Sequence, residues 1–161
     1  MSVIVRGVEL SSLIDIYPPF LMPDFVEIGD NGARSVSSFD SATWWFQSHM
    51  PREGAMPGTL MLEAIAQTAV ALMANQPVVY GQTPHYLTSA ITNFRSRITS
   101  DDRELKIVVT PTLHRLGVSK FSGEAKVGSR ICVQATLTYF TPDKGVSPAA
   151  VQGFVMTDLP K

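Results

Sequence analysis

The residues of this chain most able to do chemistry lie within one short stretch, residues 49–67, which reads HMPREGAMPGTLMLEAIAQ. His49 lies in a loop rich in proline and glycine, and Glu63 lies on the helix that we predict over residues 57–75. Pro57 suits the first position of that helix, where its missing N–H costs nothing. A histidine can act as a general base and a glutamate as a general acid in catalysis. The pair therefore suggests proton-transfer chemistry.

The predicted helix is apolar on every side, so we expect it to be enclosed by protein. Glu63 is its only ionisable side chain, and Gln67 lies one turn further along the same face. Apolar surroundings disfavour the charged form of a carboxylate, which suits a proton donor. The alternatives are a salt-bridged carboxylate in the core or one that faces solvent at a notch.

The start of the same helix offers a place for a reacting carbonyl. The N–H groups of Gly58 and Thr59 lie in its first turn, where they lack intrahelical partners and meet the positive end of the helix dipole. A base, an acid and an oxyanion site together favour proton removal alpha to a carbonyl, with loss or gain of a leaving group. A structural histidine beside ordinary turn residues is the alternative.

Composition bounds the class of protein. The 161 residues fit one domain, over residues 1–161, with 45% hydrophobic residues, 17% charged residues and a net charge of −1. This balance gives no reason to expect nucleic-acid binding. The single Cys132 is compatible with a reducing cytoplasm, and neither a signal peptide nor an uninterrupted membrane-spanning run is evident. We therefore expect a cytoplasmic domain that does not bind membranes.

Apolar periodicity predicts an α+β architecture in which an antiparallel sheet wraps one long helix. A short helix is predicted over residues 11–16, a loop over 76–84 and an irregular tail from about residue 141. Gly128 and Ser129 predict a tight hairpin. The exposed edges of such a sheet make dimerisation plausible. The predicted strands are residues 24–29, 33–39, 86–98, 105–113, 118–127 and 130–140.

The segment resembles the FabZ type of 3-hydroxyacyl-(acyl carrier protein) dehydratase, whose pattern is HFPGxPxMPGVLxxEAxAQ. The resemblance covers most of the chain: YPPFLMPDFV is similar to the family's RYPFLLVDRV, and ITNFRSRITSDDREL is similar to its KFRRPVVPGDxL. The residues of the central motif that carry the resemblance are His49, Met50, Pro51, Gly54, Met56, Pro57, Gly58, Leu60, Glu63, Ala64, Ala66 and Gln67, of which Met50 and Gly54 are not identical to the pattern.

The resemblance implies a hot-dog fold, a homodimer or trimer of dimers, and reversible dehydration of 3-hydroxyacyl thioesters to trans-2-enoyl thioesters, with no cofactor and no metal. It implies that His49 takes the C2 proton and that Glu63, from the opposite subunit, helps to expel the C3 hydroxyl as water. The Gly58 N–H would polarise the thioester carbonyl, and the Ala55 carbonyl would orient the imidazole. A glutamate at position 63, rather than an aspartate, argues against a double-bond isomerase.

The chain departs from the family pattern in the loop after His49. Arg52 stands where the family has glycine, and Gly54 stands where it has proline. These two changes alter the backbone conformations that the loop can adopt. Arg52 and Glu53 also add two charges near the site. These departures make a specialised dehydratase of a polyketide or polyene-type pathway an alternative to one of bulk fatty acid synthesis.

Two further groups of residues are predicted around the site. We expect an apolar tunnel for the acyl chain, and a basic mouth that binds the acidic carrier protein. Solvated strand residues or intrachain ion pairs are the alternative for the basic group. The candidates are Leu62, Ile65, Ala66 and Tyr86 for the tunnel, and Arg95, Arg97 and Arg115 for the mouth.

Three functions compete for this sequence. The leading one is the dehydratase. A hot-dog thioesterase would use its carboxylate to activate water against the same carbonyl, but the presence of both His49 and Glu63 speaks against it. A non-catalytic acyl-binding or assembly subunit is supported only by the altered loop.

Overall fold

The computed structural model of the chain describes residues 1–75 and 84–142. Within them it has three helices and seven strands: β1 (Val3–Arg6), α1 (Gly7–Ile14), β2 (Phe25–Gly29), β3 (Gly32–Ser38), α2 (Trp44–Ser48), α3 (Gly58–Ala74), β4 (Tyr86–Phe94), β5 (Glu104–Arg115), β6 (Val118–Val127) and β7 (Arg130–Phe140). The strands form one antiparallel sheet in the order β1-β2-β3-β5-β6-β7-β4. The α+β expectation of a sheet around one long helix is confirmed.

The central strands form because their apolar residues recur at every second position. Leu105, Ile107 and Val109 of β5 are buried, and the residues between them face away from the core. In β6, Phe121 and Ala125 are buried in the same pattern. The sheet therefore has one apolar face, which α3 covers.

α3 packs against β2, β3, β5, β6 and β7, and α1 covers another of its sides. Gly123 of β6 makes close packing possible, since a Cβ atom there would overlap Cγ2 of Ile65. Ser35 of β3 and Thr68 of α3 share a buried hydrogen bond of 2.7 Å, so these two hydroxyl groups are paired within the interface.

β4 is an exposed edge of the sheet. It pairs with β7 on one side, and its other side has no strand beside it in the described residues. Leu87, Ile91 and Phe94 are all exposed, with Ile91 at 67% and Phe94 at 54%. A long apolar edge of this kind is a surface on which strands from another chain can pair.

Several element bounds differ from those predicted. The first helix spans residues 7–14 instead of 11–16, and it follows an unpredicted strand, β1. β4 ends at Phe94 instead of at Ile98, because the N–H groups of Arg95 and Ser96 both turn to the Cys132 carbonyl. The aromatic residues Trp44, Trp45 and Phe46 lie in α2, which ends at Ser48. Most of the loop and tail predicted at residues 76–84 and 141–161 lies outside the described residues.

Candidate active site

The loop after α2 presents His49 from a fixed backbone. The His49 N–H donates to the Trp45 carbonyl at 2.8 Å, so the residue directly follows the last turn of α2. Further along, the Met56 N–H donates to the Ile98 carbonyl at 2.9 Å, and the Ser100 N–H donates to the Gly54 carbonyl at 3.2 Å. The loop is therefore attached by main-chain bonds at both ends.

The imidazole of His49 has a defined neighbour. Its Nδ1 lies 3.3 Å from the carbonyl oxygen of Ala55, which is the contact that the family resemblance implies. Because a carbonyl only accepts hydrogen bonds, this geometry favours the tautomer that carries its proton on Nδ1. Nε2 then keeps its lone pair, so it is the nitrogen that can act as a base.

The N-terminus of α3 faces the same space as His49. Both His49 and Gly58, the first residue of α3, line a cavity of about 330 Å³. A Cβ atom at position 58 would lie 3.0 Å from the Phe94 ring, so glycine allows this aromatic side chain to approach the helix start. The cavity walls include the apolar side chains of Met56, Met61 and Phe94. A base, helix N–H groups and an apolar wall thus meet in one cavity.

Glu63 lies outside that cavity within its own chain. The residue is half-buried on α3, and its Oε1 accepts a hydrogen bond of 2.8 Å from Nε2 of Gln67. Gln67 is only 1% exposed. Its Nε2 also donates to the Phe20 carbonyl at 2.9 Å, and its Oε1 accepts from the Met22 N–H at 2.8 Å. Gln67 therefore connects the carboxylate to the segment before β2.

Gln67 lies on the same face as Glu63, as predicted, but the sequence indicated no role for it and none for Tyr139 of β7. The hydroxyl of Tyr139 donates to the Ala66 carbonyl at 3.1 Å. Burial, and then the negative charge of Glu63, raise the pKa of Tyr139 well above its ordinary value. The helical spacing of Glu63 and Gln67 was a usable signal for Gln67. Nothing local in the sequence links Tyr139 to α3.

The residues predicted for the acyl tunnel are not among those that line the His49 cavity. Ile65 is fully buried against Gly123 in the sheet, and Ala66 is buried beside Tyr139. Leu62 is half-buried, and Tyr86 is half-buried at the start of β4, opposite Phe140.

The predicted arginines do not form one group. Arg95 and Arg97 line the cavity, where Nε of Arg95 lies 3.3 Å from Gln134 Oε1 and Nη1 of Arg97 lies 3.3 Å from Glu53 Oε2. Arg115 ends β5 at the level of Tyr86, about 25 Å from the Phe94 end at the usual rise per strand residue. Within one chain the sheet register therefore separates Arg115 from the other two arginines, and its place at the mouth stays a prediction.

Neither a metal-binding cluster nor a membrane-crossing helix emerges from residues 1–75 and 84–142. No group of three or more histidine, cysteine, aspartate or glutamate side chains is placed there to hold a metal ion. No helix of that part of the chain is long and apolar enough to cross a membrane.

The sequence of this chain is similar to those of known dehydratases. The family model described as a FabA-like domain matches residues 21–136. Two relatives named 3-hydroxyacyl-[acyl-carrier-protein] dehydratase FabZ come from Allorhizobium ampelinum and Rhodospirillum rubrum. The first is 31% identical over 131 residues, covering 80% of this chain and 84% of that protein. The second is 30% identical over 148 residues, covering 88% and 92%.

Solved structures confirm the hot-dog fold. The dehydratase heterocomplex ApeI:P from Xenorhabdus doucetiae aligns with a TM-score of 0.72 at 15% identity, over 94% of this chain and 99% of that one. A hypothetical thioesterase with coenzyme A from Streptococcus pneumoniae aligns with a TM-score of 0.56 at 13% identity, over 72% and 82%. At these identities the likeness concerns the fold alone.

Proposed function

Because the chain belongs to the family of FabA-like domains, we propose that it is a 3-hydroxyacyl-ACP dehydratase, a hydro-lyase that reversibly converts 3-hydroxyacyl thioesters to trans-2-enoyl thioesters. One observation carries the proposal: His49, with Nδ1 held at the Ala55 carbonyl, shares a cavity with the first turn of α3. The pathway proposed is fatty acid biosynthesis or a specialised route of polyketide or polyene type.

Each residue has a role in the proposed reaction. Nε2 of His49 removes the C2 proton, and the electron pair of that C–H bond forms the new double bond as the C3–O bond breaks. The Gly58 N–H donates to the thioester oxygen, where negative charge develops. Glu63 gives a proton to the departing hydroxyl, which leaves as water. In the reverse direction the same groups add water to the enoyl thioester.

The proposed site is completed by a second copy of the chain. Glu63 does not line the cavity of its own His49, and no strand among the described residues covers the apolar edge of β4. We infer a homodimer, alone or within a trimer of dimers, in which His49 of one subunit meets Glu63 of the other. The acyl tunnel at Leu62, Ile65, Ala66 and Tyr86 remains part of this proposal, with its walls completed at the subunit interface.

The proposed partner is an acidic acyl carrier protein that presents its substrate on a phosphopantetheine arm. Arg95 and Arg97 at the cavity support this role, since opposite charges guide and orient such encounters. We propose that the protein acts in the cytoplasm and that residues 1–161 form one domain.

The test is incubation with a 3-hydroxyacyl pantetheine thioester, with products identified by mass spectrometry. Loss of one water is expected. We expect His49→Ala and Glu63→Gln each to reduce turnover by about 10²–10⁴-fold, as removal of a general base or acid does. Glu104→Gln is the matched control, because Glu104 pairs with Lys106 at 3.0 Å on the sheet surface.

The other two functions give different products in the same assay. Release of a free thiol would identify a thioesterase, and no reaction would identify a binding or assembly subunit. Near-normal dehydration by either site variant would contradict the roles assigned to His49 and Glu63.

A further inference from the structure

The segment that follows β4, residues 95–102, packs against the His49 loop and is hydrogen-bonded to it. Main-chain hydrogen bonds join Met56 to Ile98 and Ser100 to Gly54, and Ala55 forms an isolated antiparallel bridge with Thr99. Ala55 is also the residue whose carbonyl faces the His49 imidazole. Any displacement of this segment would therefore move the carbonyl that orients the base.

The first residues of the segment are joined to β7 by the N–H groups of Arg95 and Ser96, which donate to the Cys132 carbonyl. Its later residues are joined to the start of β7 by the side chain of Arg130. Nη2 of Arg130 lies 2.8 Å from Oδ1 of Asp102, and its Nη1 donates to the Arg97 carbonyl and lies 3.3 Å from Oγ of Ser96. The Ser96 hydroxyl donates onward to the Ile131 carbonyl at 2.8 Å. The planar guanidinium can satisfy several acceptors at once, which a lysine ammonium cannot do in the same geometry.

Asp102 holds the other end of the segment. Its Oδ2 accepts from the Thr99 N–H at 2.9 Å, and its own N–H donates to the Thr99 carbonyl at 3.1 Å. Its side chain is only 17% exposed, compared with 41% for Arg130. An isolated surface ion pair contributes little to stability, but a pair with several satisfied hydrogen bonds fixes geometry. The Thr99 backbone is thereby fixed opposite Ala55.

We propose that Arg130 is a positioning residue for the dehydration reaction: with Asp102 it sets the position of residues 95–102, and through them the Ala55 carbonyl and the His49 imidazole. Arg130 does not line the cavity, so it acts through these groups and not on the substrate. The inference rests on the proposed function, because it assigns His49 the role of base.

The test compares Arg130→Gln, Arg130→Lys and Asp102→Asn on the pantetheine substrate, which avoids any effect on carrier docking. We expect Arg130→Gln and Asp102→Asn to lower kcat by about tenfold to a hundredfold with little change in KM, since small misplacements of a catalytic group are costly. Arg130→Lys should recover part of the loss. The double variant should lose little more than either single variant.

Arg103→Gln is the matched control. Arg103 lies in the same turn, but Nη1 of its side chain donates to the carbonyls of Ser100 and Asp102 and not to β7. We expect it to retain wild-type kcat. Equal losses in Arg103→Gln and Arg130→Gln would overturn the proposal, because the turn as a whole would then matter and not its link to β7.

Two readouts need no turnover. Nitrogen NMR of His49 should show the Nδ1–H tautomer in the wild type and a mixture of tautomers in Arg130→Gln. Amide hydrogen exchange at Met56 and Ser100 should accelerate relative to Val109 of β5. An unchanged tautomer and unchanged exchange would overturn the positioning role. If the wild type fails to dehydrate while both readouts respond, the proposed function is wrong and the structural link stands.

Discussion

Tyr139 illustrates how much the environment of a single residue depends on distant parts of the chain. Its phenol lies beneath α3, where it donates a hydrogen bond to the Ala66 carbonyl. The negative charge of Glu63 on the same helix helps to raise the pKa of the phenol. A main-chain carbonyl and a carboxylate from one helix thus act on a side chain of the last strand.

The raised pKa of Tyr139 predicts a fall in stability at high pH. A tyrosine in the unfolded chain ionises near pH 10, whereas the buried phenol resists ionisation. As the pH rises above about 10, the unfolded state therefore loses its proton first, and the free energy of unfolding decreases. Below that pH the contribution is fully present.

Urea titrations from pH 8 upward will measure this effect, with Tyr139→Phe as the comparison. The variant should lose about 0.5–1.5 kcal/mol at neutral pH, because one buried hydrogen bond is gone. It should also show a shallower decline above pH 10. Parallel curves for the two proteins would contradict the assignment.

The ion pair between Glu53 and Arg97 is expected to affect carrier binding. Oε2 of Glu53 lies 3.3 Å from Nη1 of Arg97. This ion pair partly neutralises an arginine that would otherwise be available to the acidic carrier. We expect Glu53→Gln to lower KM for carrier-linked substrate at low salt by up to about fivefold, the range of an exposed ion pair.

The same substitution should leave KM for the pantetheine thioester unchanged, and Arg97→Gln should raise KM for the carrier-linked substrate. Glu104→Gln serves as the control, since its partner Lys106 lies on β5 away from the cavity. Equal shifts on both substrates would show that Glu53 acts on the chemistry and not on docking.

At the scale of elements, the packing of α3 onto β6 depends on Gly123. The space that a side chain would need there is filled by Ile65. We expect Gly123→Ala to lower the free energy of unfolding by about 1–3 kcal/mol, the usual cost of overpacking a core. In an Ile65→Ala background the same change should cost less by at least about 0.5 kcal/mol.

Chemical denaturation of the four proteins of this cycle measures the coupling. Gly29→Ala is the control, because a Cβ atom there meets only the Gly32 carbonyl oxygen at an ordinary 3.8 Å. Additive effects of Gly123→Ala and Ile65→Ala would mean that the sheet shifts to accommodate the methyl group.

Elements with strong apolar periodicity were predictable from the sequence. β6 and β7 have the predicted bounds, and α3 lies within the predicted range, since alternation and an all-round apolar helix are local patterns. The end of β4 was not predictable, because β4 ends where Arg95 and Ser96 bond to the Cys132 carbonyl, which belongs to another strand. Likewise, the spacing of His49, Ala55 and Gly58 was visible in one segment. The contacts of Arg130 and Tyr139 join segments that are distant in the sequence, so no local pattern indicates them.

At the scale of the whole molecule, the separation of Glu63 from the cavity of its own chain predicts complementation. Inactive His49→Ala and Glu63→Gln proteins should regain activity after subunit exchange. With a two-fold dimer, half of the dimers are mixed and each has one intact site, so recovery should approach about a quarter of the wild-type rate.

The assay is turnover after mild denaturation and refolding of the mixed variants. A mixture of Glu63→Gln with the double variant His49→Ala/Glu63→Gln is the control, since no combination of its subunits contains an intact Glu63. Absence of recovery in demonstrated mixed dimers would show that one chain supplies both groups.

The main-chain attachment of the His49 loop has a consequence for how such a site can diverge. The hydrogen bonds from Met56 to Ile98 and from Ser100 to Gly54 use backbone atoms only. They therefore do not depend on the identity of most side chains in the loop. Arg52, which stands where the family pattern has glycine, and the neighbouring Glu53 lie between these anchors and His49. Descendants of one ancestor can therefore exchange loop side chains, and with them substrate preference, while inheriting the same base in the same place.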